Sequence, residues 1–90
     1  MRQYKKFVGT LEWVSELIKV PRGKRTFFKK TIEIITPDNQ RFFAEVRDGN
    51  IDKLGLFECK DTVELQVSLQ GSKKGDKRYN NIVVHSITKL

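Results

Sequence analysis

The sequence predicts an all-β fold: five antiparallel strands with one short helix, closed into a small barrel. Three observations carry that prediction. Apolar residues recur at every second position through most of the chain and are drawn largely from Val, Ile and Phe, as half-buried strands require. Pro, Gly, Asn and Asp cluster between these runs, at Pro21-Arg22-Gly23, Pro37-Asp38-Asn39 and Asp48-Gly49-Asn50, where their backbone preferences favour turns. Only one segment departs from the period of two, and it is short.

The first strand is expected from about Tyr4 to Val20. Phe7, Gly9, Leu11 and Trp13 share one parity and Val8, Val14 and Ile18 the other. A long strand that is apolar on both sides must bend so that each half turns a different side to the core, and Gly9 is the expected bend or bulge. Trp13 is assigned to the core. The second strand, about Arg25 to Thr36, places Phe28, Ile32 and Ile34 inward and Phe27, Lys29, Thr31, Glu33 and Ile35 outward. The third, Gln40 to Arg47, places Phe42, Ala44 and Val46 inward and Arg41, Phe43, Glu45 and Arg47 outward.

Ile51 to Phe57 is the helical segment, with Ile51, Leu54 and Phe57 three residues apart, Asp48 or Asn50 as the cap, and Gly55 keeping it short. In the fourth strand Val63, Leu65, Val67 and Leu69 alternate with Glu64, Gln66, Ser68 and Gln70, so one face is buried and the other wet. Gly71 to Lys77 reads as a polar, basic loop. The fifth strand, Arg78 to Thr88, carries Ile82, Val84 and Ile87.

The order β-β-β-α-β-β, with a long bent first strand, is that of the OB-fold, whose closure removes exposed sheet edges. An unclosed three-on-two sandwich is the structural rival. Ninety residues suit one domain, residues 1–90. Cys59 is the single cysteine, so no internal disulfide forms. With no apolar leader and no stretch of membrane-spanning length, the protein is expected to be cytoplasmic and away from membranes.

Charge carries the functional signal. The net charge is +7. Lys19, Arg22, Lys24, Arg25, Lys29 and Lys30 lie within twelve residues with no acid among them, and Lys73, Lys74, Lys77 and Arg78 face only Asp76. These ten basic residues and one acid amount to +9; the rest of the chain holds eight basic and ten acidic residues, or −2. A single charged loop is ordinarily just solvated. Two of the same sign on an otherwise slightly acidic chain point to a polyanionic partner.

Val63-Glu-Leu-Gln-Val-Ser-Leu-Gln-Gly71, a basic hairpin loop and Gly75-Asp-Lys-Arg-Tyr-Asn-Asn-Ile-Val-Val84 resemble the last hairpin of bacterial single-stranded-DNA-binding proteins. Lys29, Lys30 and the alternating Ile32 and Ile34 resemble a small single-domain OB family of unknown function related to them. That family has an aromatic before the second-strand lysines, usually Trp, where this chain has Phe27. It usually has Gly-Asp before the fourth strand, where this chain reads Cys59-Lys60-Asp61. The chain ends at Leu90 without the linker and acidic tip through which bacterial single-strand-binding proteins recruit partners, so that role does not carry over. A basic OB domain without a tail also resembles the dimeric primosomal replication-restart proteins. The resemblance implies single-stranded DNA binding, in replication or repair, by a homo-oligomer (dimer or tetramer).

Single-strand binding needs cations along the phosphates and aromatic faces for the bases. OB-folds use the outward face of strands two and three, flanked by the first-to-second and fourth-to-fifth strand loops. Parity puts Phe27, Lys29, Arg41 and Phe43 on that face. The charge count adds Arg22, Lys24 and Arg25 from one loop, and Lys73, Lys74, Lys77 and Arg78 from the other, with Tyr79 at its edge. An outward Phe serves equally as a packing surface or subunit contact, so a protein-interaction module remains the alternative, and RNA the alternative ligand.

Enzymatic readings find no support. His85 is the only histidine and lies within a strand. Cys59 lacks partners for zinc. The acids are scattered, and Gly71-Ser-Lys-Lys-Gly75 lacks the phosphate-loop order and its helix. A non-catalytic protein with no metal and no cofactor is expected.

Overall fold

The computed structural model describes residues 4–90, with every side chain among them except that of Lys74. Six strands form one sheet: β1 (Lys5–Val14), β2 (Ile18–Arg22), β3 (Arg25–Ile35), β4 (Arg41–Arg47), β5 (Thr62–Lys74) and β6 (Lys77–Lys89). Their order is β1-β5-β6-β4-β3-β2, and β1 also pairs with β3. Five strands therefore close a ring, antiparallel except for one parallel pairing of Glu45 with Val83. β2 stands outside the ring, paired only to β3. This is the expected five-stranded OB barrel. The predicted first strand is broken at Ser15–Leu17, and its second part becomes the outer strand of a hairpin.

β1 closes the ring by changing neighbours. Lys5–Thr10 pair with β5, and Thr10–Val14 pair with β3. The bulge falls at Glu12, between Leu11 (opposite Ile34) and Trp13 (opposite Glu33), rather than at Gly9. One extra residue moves every later side chain to the other face. Leu11 and Val14 thus both reach the core, while Trp13 turns outward and is 47% exposed; its assignment to the core is corrected. Gly9 is needed for a different reason. A Cβ there would sit 2.6 Å from Ile34 Cγ2 and 2.7 Å from the Ile35 carbonyl oxygen.

The core comprises Leu11, Ile32, Ile34, Ala44, Val46, Val63, Leu65, Val67, Val84 and Ile87, with Leu54 reaching in from between β4 and β5. Each fully buried aliphatic side chain contributes about 1.5–3 kcal/mol. The helical segment is realised as two 3-10 turns, Asp48–Asn50 and Asp52–Leu56. The three-residue spacing of Ile51, Leu54 and Phe57 matches the three residues per turn of that helix. Neither predicted cap acts as one. The Asp48 carboxylate instead accepts from the Phe28 N–H at 3.2 Å, and the Asn50 amide donates to the carbonyls of Val84 and His85 at 3.5 and 3.4 Å.

Two further parity expectations fail. Phe28 keeps the inward parity of Ile32 and Ile34 but is exposed, because its stretch of β3 pairs with β2 outside the ring. Leu69 is 65% exposed and Ser68 is buried; among the described residues β1 pairs with β5 as far as Val67. A second bulge on β6 leaves His85 without a partner between Val84 and Ser86. Its ring stacks on Tyr4 with centroids 4.1 Å apart, a surface role. No helix among the described residues is long and apolar enough to cross a membrane.

Candidate nucleic-acid interface

Both basic segments are paired ribbons rather than loops. β2 and β3 pair out to Arg22 and Arg25, leaving a turn of Gly23-Lys24. β5 and β6 pair out to Lys74 and Lys77, leaving only Gly75-Asp76, which corrects the expectation of a basic loop from Gly71 to Lys77. Gly23 and Gly75 hold φ of 61° and 63°. A positive φ at the first turn position followed by a residue with negative φ is the requirement of a type II′ hairpin, and glycine meets it without strain. Cations on such ribbons alternate between two faces at fixed spacing.

The outer faces of the two ribbons meet over the end of β4. One groove of about 550 Å³ is lined by Arg22, Arg25, Thr26, Phe27, Arg47 and Asp48. A second of about 360 Å³ is lined by Val20, Arg22, Phe27, Arg47, Gln70, Gly71, Ser72 and Asn81. They share Arg22, Phe27 and Arg47, and so form one continuous channel with a ribbon on either side.

Arg47 is its centre. Its guanidinium carbon lies 5.2 Å from the centroid of Phe27, within the range of a cation–π contact. Its Nη2 and Nε donate to Glu45 at 2.7 and 3.0 Å, and Nη1 reaches Gln70 Oε1 at 3.5 Å. Lys29, opposite Arg47 in register, donates to the other oxygen of Glu45 at 2.8 Å. Burial alone would raise the Glu45 pKa. Hydrogen bonds and charge from Lys29 and Arg47 outweigh it and hold the carboxyl below its ordinary value of 4.5.

The predicted residues separate into three groups. Arg22, Arg25 and Phe27 line the channel, with Lys24 at the turn beside them and Lys29 next to Arg47. Arg41 and Phe43 lie outward as expected, but farther along β4. Arg41 is held by Glu33 at 2.7 Å, and Phe43 borders a separate hollow with Thr31, Glu45, Asn80, Asn81 and Ile82. On the β5–β6 ribbon, alternation puts Lys77 and Tyr79 on the side of Gln70 and Asn81, and Lys73 and Arg78 on the opposite side. Lys74 pairs with Lys77 through the backbone; its side chain lies outside the described residues.

Sequence reasoning therefore omitted Arg47, Gln70 and Asn81. Parity had placed Arg47 outward, but nothing local to β4 signals that its register partner is Lys29 or that Phe27 lies beneath it. Six cations, Arg22, Lys24, Arg25, Lys73, Lys77 and Arg78, have no carboxylate within 4.0 Å among the described residues, in contrast to Lys29, Arg41 and Arg47. Among the described residues the two ribbons thus carry six cations without an acidic partner, while Lys29, Arg41 and Arg47 on β3 and β4 are neutralised. No cluster of three or more potential metal ligands occurs among the described residues.

No family model matches the chain, and no curated protein is similar to it in sequence. Solved structures are similar to it in shape. The mitochondrial single-stranded-DNA-binding protein Rim1 of S. cerevisiae superposes with a TM-score of 0.67 over 100% of this chain and 97% of its own, at 14% identity. The small single-stranded-DNA-binding protein of Streptomyces coelicolor gives 0.56 over 100% and 95%, at 10% identity. The N-terminal domain of PriB from Thermoanaerobacter tencongensis, solved as a dimer, gives 0.56 over 98% and 96%, at 13% identity. Ring closure through β1, the outlying β2–β3 hairpin and these superpositions agree on one fold, the OB-fold.

Proposed function

We propose that the protein binds single-stranded DNA, without catalysis, along the channel between its two basic ribbons. One observation carries this reading: cations without acidic partners flank a floor made of Phe27 and Arg47, on the outer face of an OB barrel. Single-strand binding needs that combination, cations for phosphates and flat groups for bases. In this reading the ribbons hold the backbone and bases stack toward Phe27, with Tyr79 as a further platform.

Titration of an oligo-dT by anisotropy at several salt concentrations tests it. Each phosphate contact on a single strand adds about −0.7 to the slope of log K against log salt, so the four ribbon cations on the channel side, Arg22, Lys24, Arg25 and Lys77, give about −3. Replacing Lys73, Lys77 and Arg78 with Glu should weaken binding to every sequence. Phe27→Ala should weaken it by about 1–3 kcal/mol with little change in slope. Absence of binding at low salt, or binding without a salt slope, refutes the proposal. Duplex DNA and RNA competitors decide which nucleic acid is preferred.

A second reading, self-association or docking of another protein, is supported by exposed Trp13, Leu17, Ile18 and Phe28. Leu17 joins two adjoining hollows, one lined by Trp13 and Ile18 and the other by Phe28 and Ile51. Phe28 faces the opposite side of β3 from Phe27, so this surface and the channel can be occupied together. Sedimentation velocity across a range of concentrations tests the homo-oligomeric form.

A further inference from the structure

Asp48 lines the channel, but Glu45 is the acid bonded to the cations of its floor. It lies on β4, in register with Thr31 and beside Val83, and its two oxygens are shared between Lys29 and Arg47. Its side chain is 14% exposed, against 24% for Lys29 and 26% for Arg47, so water screens this group less than an ordinary surface pair. The three side chains together carry one net positive charge instead of two. A phosphate approaching Lys29 or Arg47 meets a carboxylate that already engages one donor of Lys29 and the Nε and Nη2 of Arg47.

We infer that Glu45 is a built-in competitor of the nucleic-acid backbone, an internal counter-ion that lowers the affinity of the channel and keeps bound strands exchangeable. The inference rests on the reading of the channel as a single-strand site. With Glu45 in place, half the positive charge of Lys29 and Arg47 is neutralised, the floor suits bases, and phosphates are left to the ribbons. With its charge removed, Lys29 and Arg47 become free to take a phosphate. The geometry also defines the opposite possibility: if Glu45 chiefly holds Arg47 flat over Phe27, removing its charge would loosen the floor and weaken binding.

The test compares Glu45→Gln with the unaltered protein in oligo-dT titrations from about 50 to 200 mM salt, with thermal melts to confirm folding. The expected result is tighter binding at low salt, by about three- to tenfold, and a slope steeper by about 0.7, so that the advantage shrinks roughly threefold across that range. Glu64→Gln, which removes a charge paired with Lys6 elsewhere on the barrel, should tighten binding much less. Lys29→Gln keeps the test decisive should Glu45→Gln fold poorly: a neutralised Lys29 should lose less salt slope than Lys77→Gln. Unchanged or weaker binding by folded Glu45→Gln, equal gains from both Glu→Gln variants, or equal slope losses from both Lys→Gln variants would overturn the inference while leaving single-strand binding intact. No binding by the unaltered protein overturns both.

Discussion

Gly9→Ala isolates the contact that closes the barrel. The added methyl would lie 2.6 Å from Ile34 Cγ2, 2.7 Å from the Ile35 carbonyl oxygen and 3.2 Å from its carbon. Carbon atoms pack at about 3.5–4.0 Å, so β1 and β3 must move apart by about 1 Å. Neither neighbour gives way easily. Ile34 is fully buried and the Ile35 oxygen is backbone. Separation also disturbs the adjacent pairings of Thr10 with Ile35 and Leu11 with Ile34, where each hydrogen bond contributes about 0.5–1.5 kcal/mol net. Overpacking costs about 1–3 kcal/mol. Reduced freedom of the unfolded chain returns about 0.4–1 kcal/mol. The expected net loss is about 2–3 kcal/mol, read in a urea titration as a midpoint lowered by about 1–2 M. Gly49→Ala is the control, since nothing lies within 4 Å of its added methyl, and it should stay within about 0.5 kcal/mol of the unaltered protein. A Gly9→Ala protein as stable as the control would refute the argument that this glycine permits closure.

Three further outcomes are expected. Trp13, half exposed, should be quenched by iodide in the folded protein, and Trp13→Ala should cost clearly less than the roughly 2–5 kcal/mol of Leu11→Ala; a Trp13 shielded from iodide would contradict the bulge at Glu12. The Glu45 pKa is lowered on folding, so its contribution to stability is present above its unfolded value and lost as pH falls through the folded one. Acid melts below about pH 4.5 should therefore be shallower in Glu45→Gln than in the unaltered protein; identical profiles would argue against the ion triad. Gly75→Ala forces a β-carbon onto a residue at φ 63° and should cost about 1 kcal/mol by thermal melting, with no loss expected if the turn relaxes to negative φ.

Much of the barrel was legible along the chain because its signals are local. Alternation placed Ile32, Ile34, Ala44, Val46, Val63, Leu65 and Val67 inward, and all are buried. The two bulges also left a trace. Core residues Leu11 and Val14, and Val84 and Ile87, are three apart where a regular strand would space them by two. Attributing the two-sided first strand to Gly9 missed that trace and misplaced Trp13. Phe28 and Leu69 were misread for another reason: parity names a side of a strand, but whether that side is covered depends on which strand lies across it.

The candidate site divides in the same way. The position of charge along the chain located the ten clustered cations, and strand parity the outward Phe27. It could not reveal that Arg47 stacks on Phe27, that Glu45 neutralises Lys29, or that Gln70 and Asn81 face Arg22 across a channel. These relations join residues 16 to more than 50 positions apart, set by register and by the closing of β1 onto β3. The sequence by itself determined strand periodicity, turn chemistry and the placement of charge, because each depends on near neighbours and the pleat of one strand. Tertiary structure alone decided which cations remain available, because pairing a charge requires a partner brought from another strand.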